Sequence, residues 1–199
     1  MQLWSHKAAQ DARIQSGEQH HHPSLREMLD NKNEPKAGGI APENISGPIP
    51  IILCGQSEQI GRGVIEGLKP DYEVIHFITS AASGAVIIPA LLTSKTTPPP
   101  QHPDTSTIGS GNYAAPPRAV VLGSVFDDAA VELLQKAVVD DDQGTPSRKV
   151  PWLRHDLRKP APPLGPEYGK AMVARVKEVL GRLEGEGKLG GEYGGDEWY

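Results

Sequence analysis

Between residues 48 and 185, four short apolar runs alternate with stretches of helical spacing, and this constrains the fold more than any other feature. Ile49-Pro50-Ile51-Ile52-Leu53-Cys54 is continuously apolar and bounded by Pro and Gly, the pattern of a parallel strand covered on both faces. Tyr72–Ile78 is mostly apolar and β-branched or aromatic, which predicts a second strand. Ala119-Val120-Val121-Leu122 and Val150-Pro151-Trp152-Leu153 predict a third and a fourth. Pro151 has no amide to donate, which puts the fourth strand at a sheet edge, with Trp152 as a core residue there.

The intervening segments carry a period near 3.6. Ile60, Val64, Ile65 and Leu68 share one helix face, and Lys69-Pro70-Asp71 ends that helix; Gly63 and Gly67 weaken it by about 1 kcal/mol each relative to Ala. Residues 81–93 read as a helical crossover that Pro89 either kinks or restarts. Asp127 and Asp128 open a helix whose apolar face runs from Ala130 to Val138. Gly165-Pro166-Glu167 starts the last helix, in which Met172, Val173, Val176, Val179, Leu180 and Leu183 keep one buried face up to Gly185. Strand and helix alternating four times predict an α/β, three-layer domain: a small parallel sheet of about four strands, doubly wound with right-handed crossovers.

Outside these segments the chain is polar. Residues 1–47 are expected to be a disordered extension with at most a short helix at Ser24–Leu29; residues 94–117, with six prolines, a long flexible loop disordered in its first half; and residues 186–199 a Gly-rich acidic tail whose Trp198 and Tyr199 could dock on a partner. Net charge is −5, against nucleic acid as a partner. One cysteine, no recognisable leader and no long apolar window predict a cytoplasmic protein without a membrane span. A homo-oligomer stays open. His20, His21 and His22 offer metal donors without preorganised geometry, and no metal site is predicted from them.

In an open parallel sheet, ligands bind beyond the carboxyl ends of the strands. Four segments reach that edge: Gly55–Gly61, Thr79–Ser80, Gly123–Asp128 and Arg154–Asp156. The first, Cys54-Gly55-Gln56-Ser57-Glu58-Gln59-Ile60-Gly61, resembles the nucleotide-binding turn T-G-x-x-x-G-x-G of short-chain dehydrogenase and NmrA-like proteins. Gly55 and Gly61 hold two of the three glycine positions, Cys54 replaces the Thr, and Gln59 replaces the middle glycine, where a Cβ would crowd a pyrophosphate. The resemblance covers residues 49–78. It implies a degenerate NAD(P)-binding, Rossmann- or flavodoxin-like domain, with Gly55, Gln56, Ser57, Gln59, Ile60, Gly61, Arg62, Thr79, Gly123 and Ser124 around a phosphorylated ligand such as NAD or NADP. Thr79 and Ser80 stand where an acid for a ribose hydroxyl is expected, and Arg62 could meet a 2′-phosphate. The layout is also similar to small uncharacterised Rossmann-like proteins of filamentous fungi.

The dehydrogenase Tyr followed four residues later by Lys is missing, and so is a G-x-S-x-G elbow around Ser124. Other candidates have bland counterparts. Cys54 is a nucleophile or a core residue; His155, with Arg154 as anion holder and Asp156, Arg158 and Lys159 beside it, is an acid–base group or part of a solvated loop. His76 is a ligand or a packed strand residue, Asp127 and Asp128 bind Mg²⁺ or cap a helix, and Tyr168 and Lys170 could line the cleft. Three functions follow: a module for a nucleotide or phosphorylated small molecule, a non-catalytic interaction protein that lost the ancestral site, or a small enzyme using His155 or Cys54.

Overall fold

A computed structural model of the protein describes residues 47–93, 99–141 and 147–199. The elements run β1 (Ile49–Cys54), α1 (Glu58–Leu68), β2 (Tyr72–Ile78), α2 (Ala81–Leu92), β3 (Val120–Leu122), α3 (Asp128–Asp140), β4 (Trp152–Arg154), α4 (Pro166–Gly185) and β5 (Asp196–Trp198). The strands form one parallel sheet in the order β2-β1-β3-β4-β5. This is the doubly wound, flavodoxin-like order, with the chain reversing its direction of travel between β1 and β3.

The continuous apolar runs are explained by the two covered faces. Ile51, Leu53, Val121 and Leu153 point toward α1 and α4, where Leu68, Met172, Val176 and Leu180 meet them. Ile52, Cys54, Val120 and Leu122 point the other way, toward Ile87, Ile88, Val131 and Leu134 of α2 and α3. In β2 the register slips opposite Ile51 and Ile52, so that Val74 and His76 flank an inserted Ile75. The slip lets Val74 and Phe77 face α1 and α4 while Ile78 faces α2. Gly67 permits close packing of α1 on α4, since a Cβ there would lie 2.8 Å from a methyl of Val173.

Four expectations are corrected. Residues 196–198, read as tail, form a fifth strand, so β4 is not the edge. Pro151 is tolerated because it precedes the ladder, where the Trp152 amide donates to the Gly195 carbonyl at 3.0 Å. The new strand has no apolar run to advertise it. Cations hold it instead: Arg154 pairs with Asp196 at 3.1 Å and lies over the Trp198 ring, while Arg182 meets Glu197 at 2.6 Å.

The crossovers also do not share one hand. The β1–β2 connection travels one way across the sheet over the α1 face, whereas the β4–β5 connection travels the other way over that same face. The connections through α2 and α3 travel that other way over the opposite face, so they share the hand of the first. With those three right-handed, the last is left-handed, an exception to a strong rule. Pro89 lies inside a single α2 helix, four residues from its C-cap Thr93, whose amide and hydroxyl both donate to the Pro89 carbonyl. From residue 99 onward the long loop is ordered: Thr105 bridges Ile78, and the Ser110 and Gly111 amides donate to Val74 and Ile75 carbonyls at 2.9 and 3.1 Å, covering the β2 edge. Residues 1–46 and 94–98, including the histidine run, lie outside the described residues. No helix among the described residues is long and apolar enough to cross a membrane.

Candidate functional site

The reversal between β1 and β3 leaves a crevice at the carboxyl edge of the sheet, where no crossover covers the strand ends. A cavity of about 140 Å³ lies there. Its floor is Leu53 and Cys54 at the end of β1 and Val121 of β3; the turns Gly55–Ser57 and Gly123–Val125 form its rim. Tyr168 and Met172 of α4 roof it, and Tyr199 closes one side. No charged side chain among the described residues lines it.

The rim is built by local capping. Ser57 is the N-cap of α1, with its hydroxyl accepting from the Ile60 amide at 3.3 Å. The Gly61 amide takes the Ser57 carbonyl at 2.8 Å, and the Gly55 amide takes the Ile78 carbonyl at 2.9 Å. The amides of Gln56, Ser57, Glu58 and Gln59 have no acceptor among the described residues. They cluster at the positive end of α1, beside an apolar hollow. Glu58 brings the one opposing charge of that turn, and its carboxylate accepts from Ser106 Oγ at 2.8 Å. Gly61 serves packing: a Cβ there would lie 2.7 Å from the Phe77 ring.

Comparison with known proteins bears on this arrangement through one relative. Kojic acid related protein 6 of Aspergillus oryzae (strain ATCC 42149 / RIB 40) is 31% identical over 169 residues, which covers 84% of this chain and 91% of the relative. The chain belongs to the family of that protein. An alignment of this length cannot be held by the first 46 residues, so it runs through the sheet and helices. No family model and no solved structure matches the chain.

Seven of the residues expected at the site line the cavity: Gly55, Gln56, Ser57, Ile60, Gly61, Gly123 and Ser124. Three do not. Gln59 is exposed and lines a separate groove of about 880 Å³ between α1 and α4, together with Lys170. Arg62 is exposed on α1, 3.8 Å from Glu58. Thr79 donates its hydroxyl to the Asp104 carbonyl at 2.8 Å, and Ser80 caps α2.

The chemically suggestive residues are mostly engaged elsewhere. Cys54 is buried and burial pushes its thiol pKa up, so it stays protonated. Asp127 caps α3, its carboxylate accepting from the Ala130 amide at 2.9 Å, and Asp128 pairs with Arg154. The arginine expected to hold an anion is thus committed to Asp128 and Asp196. Asp156 turns to Arg158, whose hydrogen bonds bring its carboxyl down to about 2. His155 packs edge-on against Tyr199, with centroids 5.5 Å apart, and neither ring nitrogen has a hydrogen-bond partner among the described residues. Burial, helped by Arg175, lowers its pKa, although Asp156 opposes this. It does not line the cavity. His76 is a packed strand residue whose Nδ1 is 2.8 Å from the Tyr113 hydroxyl.

Tyr199 is the wall residue that the sequence did not mark. Its ring is 3% exposed and its hydroxyl donates to the Leu122 carbonyl at 2.8 Å. Only its position at the end of an aromatic pair in a polar tail hinted that it docks. Tyr168, by contrast, does line the cleft, 3.3 Å from the Ser124 hydroxyl.

Proposed function

We propose that this α/β unit is a binding module for a small phosphorylated molecule, seated in the crevice between β1 and β3. The observation that carries the reading is an open cavity whose rim holds Gln56 and Ser57, the first two of four successive amides at the α1 N-terminus without an acceptor among the described residues. Oriented amides at a helix start favour a phosphate without needing a cationic side chain. Gln59, the substitution that would have closed the turn, leaves the space free.

A single phosphate suits the lining better than the pyrophosphate of NAD or NADP. The cavity is small, and Arg62 and Thr79 lie away from it. No acid–base pair or activated nucleophile faces the cavity: His155 is behind aromatic rings and Cys54 is held as a thiol. Binding without catalysis is therefore the favoured role.

A thermal-shift panel tests this on the full chain, using NADP, NAD, FMN, ATP, coenzyme A and inorganic phosphate. Kojic acid joins it because of the relative's name. A ligand at 100 times its Kd adds about 2.7 kcal/mol, or roughly 5–10 °C in Tm for a unit of this size. Absence of any shift across the phosphorylated probes overturns the proposal.

A further inference from the structure

We infer that the inner cavity is a pocket for one planar six-membered ring carrying an uncharged hydroxyl or carbonyl oxygen, with the oxygen set against the Ser124–Tyr168 hydroxyl pair. The inference rests on reading the crevice as a ligand site and narrows the class of ligand. Size is the first argument. The cavity measures about 140 Å³, and an apolar cavity of roughly 150 Å³ accepts benzene.

Chemistry is the second. Leu53, Phe77, Val121, Met172 and Val176 supply an apolar lining on the side facing α4. No lining side chain bears a charge, so an ionised group inside would lose its hydration without compensation. Any anionic substituent must therefore remain at the rim, beside the free amides of Gln56–Gln59.

The hydroxyl pair is the third. Ser124 Oγ and Tyr168 Oη are 3.3 Å apart, longer than an ordinary O–H···O bond of about 2.7–2.8 Å. Each hydroxyl has one proton and two lone pairs, so the pair retains capacity for a third oxygen. Tyr199 cannot donate to a ligand oxygen, because its proton is committed to the Leu122 carbonyl. Tyr199 instead closes one side of the pocket.

Isothermal titration of the full chain with four probes tests this: phenol, phenyl phosphate, n-butyl phosphate and inorganic phosphate. Phenyl phosphate is expected to bind at least about tenfold more tightly than either n-butyl phosphate or inorganic phosphate, and phenol is expected to bind by itself. Tyr168→Phe should weaken phenol about fivefold. Ser124 is exposed at the rim, so Ser124→Trp, verified as folded by circular dichroism, should abolish phenol binding. Equal affinity for phenyl, butyl and inorganic phosphate overturns the ring pocket while sparing the phosphate site. Phenol binding with no response to inorganic phosphate supports the ring pocket and removes the phosphate reading. Phenol binding unchanged in Ser124→Trp, or no binding of any probe, overturns the inference.

Discussion

Replacing Tyr199 by alanine removes a ring that is 3% exposed and whose hydroxyl donates to the Leu122 carbonyl at 2.8 Å. The backbone bonds of this residue do not depend on the side chain: its amide donates to Arg154 and its carbonyl accepts from Asp156, each at 3.0 Å. The substitution thus reports on the ring. Deleting a large buried aromatic costs about 3–5 kcal/mol. Tyr199→Phe keeps the packing and loses the hydrogen bond, for about 1 kcal/mol. At roughly 2–4 °C per kcal/mol, Tm should fall by about 6–20 °C in the alanine variant and 2–4 °C in the phenylalanine variant. Urea unfolding followed by tryptophan fluorescence measures both, with an unchanged m-value showing that the same surface unfolds. A loss below about 0.5 kcal/mol for Tyr199→Ala would mean that residues 186–199 are an appendage and that β5 is not part of the cooperative unit.

Two glycines on α1 should respond in opposite directions. Gly61→Ala forces a methyl to 2.7 Å from Phe77 and should cost about 1–3 kcal/mol, whereas Gly63→Ala enters open space and should stabilise by about 0.5–1 kcal/mol; chemical denaturation reads both. Native Cys54 should resist thiol reagents at pH 8 and react at once in denaturant, because burial keeps it protonated; rapid native labelling would contradict this. Burial lowers the pKa of His76, so between that lowered value and about 6.5 the unfolded chain takes up a proton that the folded one does not. Stability should therefore fall as pH drops below about 6.5, with His76 contributing at most about 1.4 kcal/mol per pH unit, and His76→Gln should flatten the Tm profile between pH 7 and pH 5. An unaltered profile would show that His76 does not couple to folding.

The residues that made the fold legible are those whose periodicity reports burial directly. Ile49–Cys54 is apolar on both sides because both faces of β1 are covered, and the face from Met172 to Leu183 repeats because α4 lies on the sheet. The fifth strand escaped because its stabilisation is not written in hydrophobic pattern. Asp196 and Glu197 look like solvated tail until Arg154 and Arg182 are placed beside them. The strand edge under Pro151 was misjudged for the same reason. At the site, the turn after β1 was visible from its glycines and position. Tyr199 was not, because only the pairing of β5 with β4, the neighbour of β3, brings it to Leu122. Arg62 and Thr79 were assigned by correspondence with a dinucleotide turn, but hydrogen bonding and exposure send them elsewhere.

The central claim is that the crevice between β1 and β3 receives a ligand, and the most direct measurement is a ¹⁵N–¹H titration of the full chain with phenyl phosphate. Saturable shifts concentrated at the amides of Gln56–Gln59, Gly123 and Ser124 are predicted. Shifts confined to the α1–α4 groove, to the opposite edge of the sheet, or absent altogether would contradict the account.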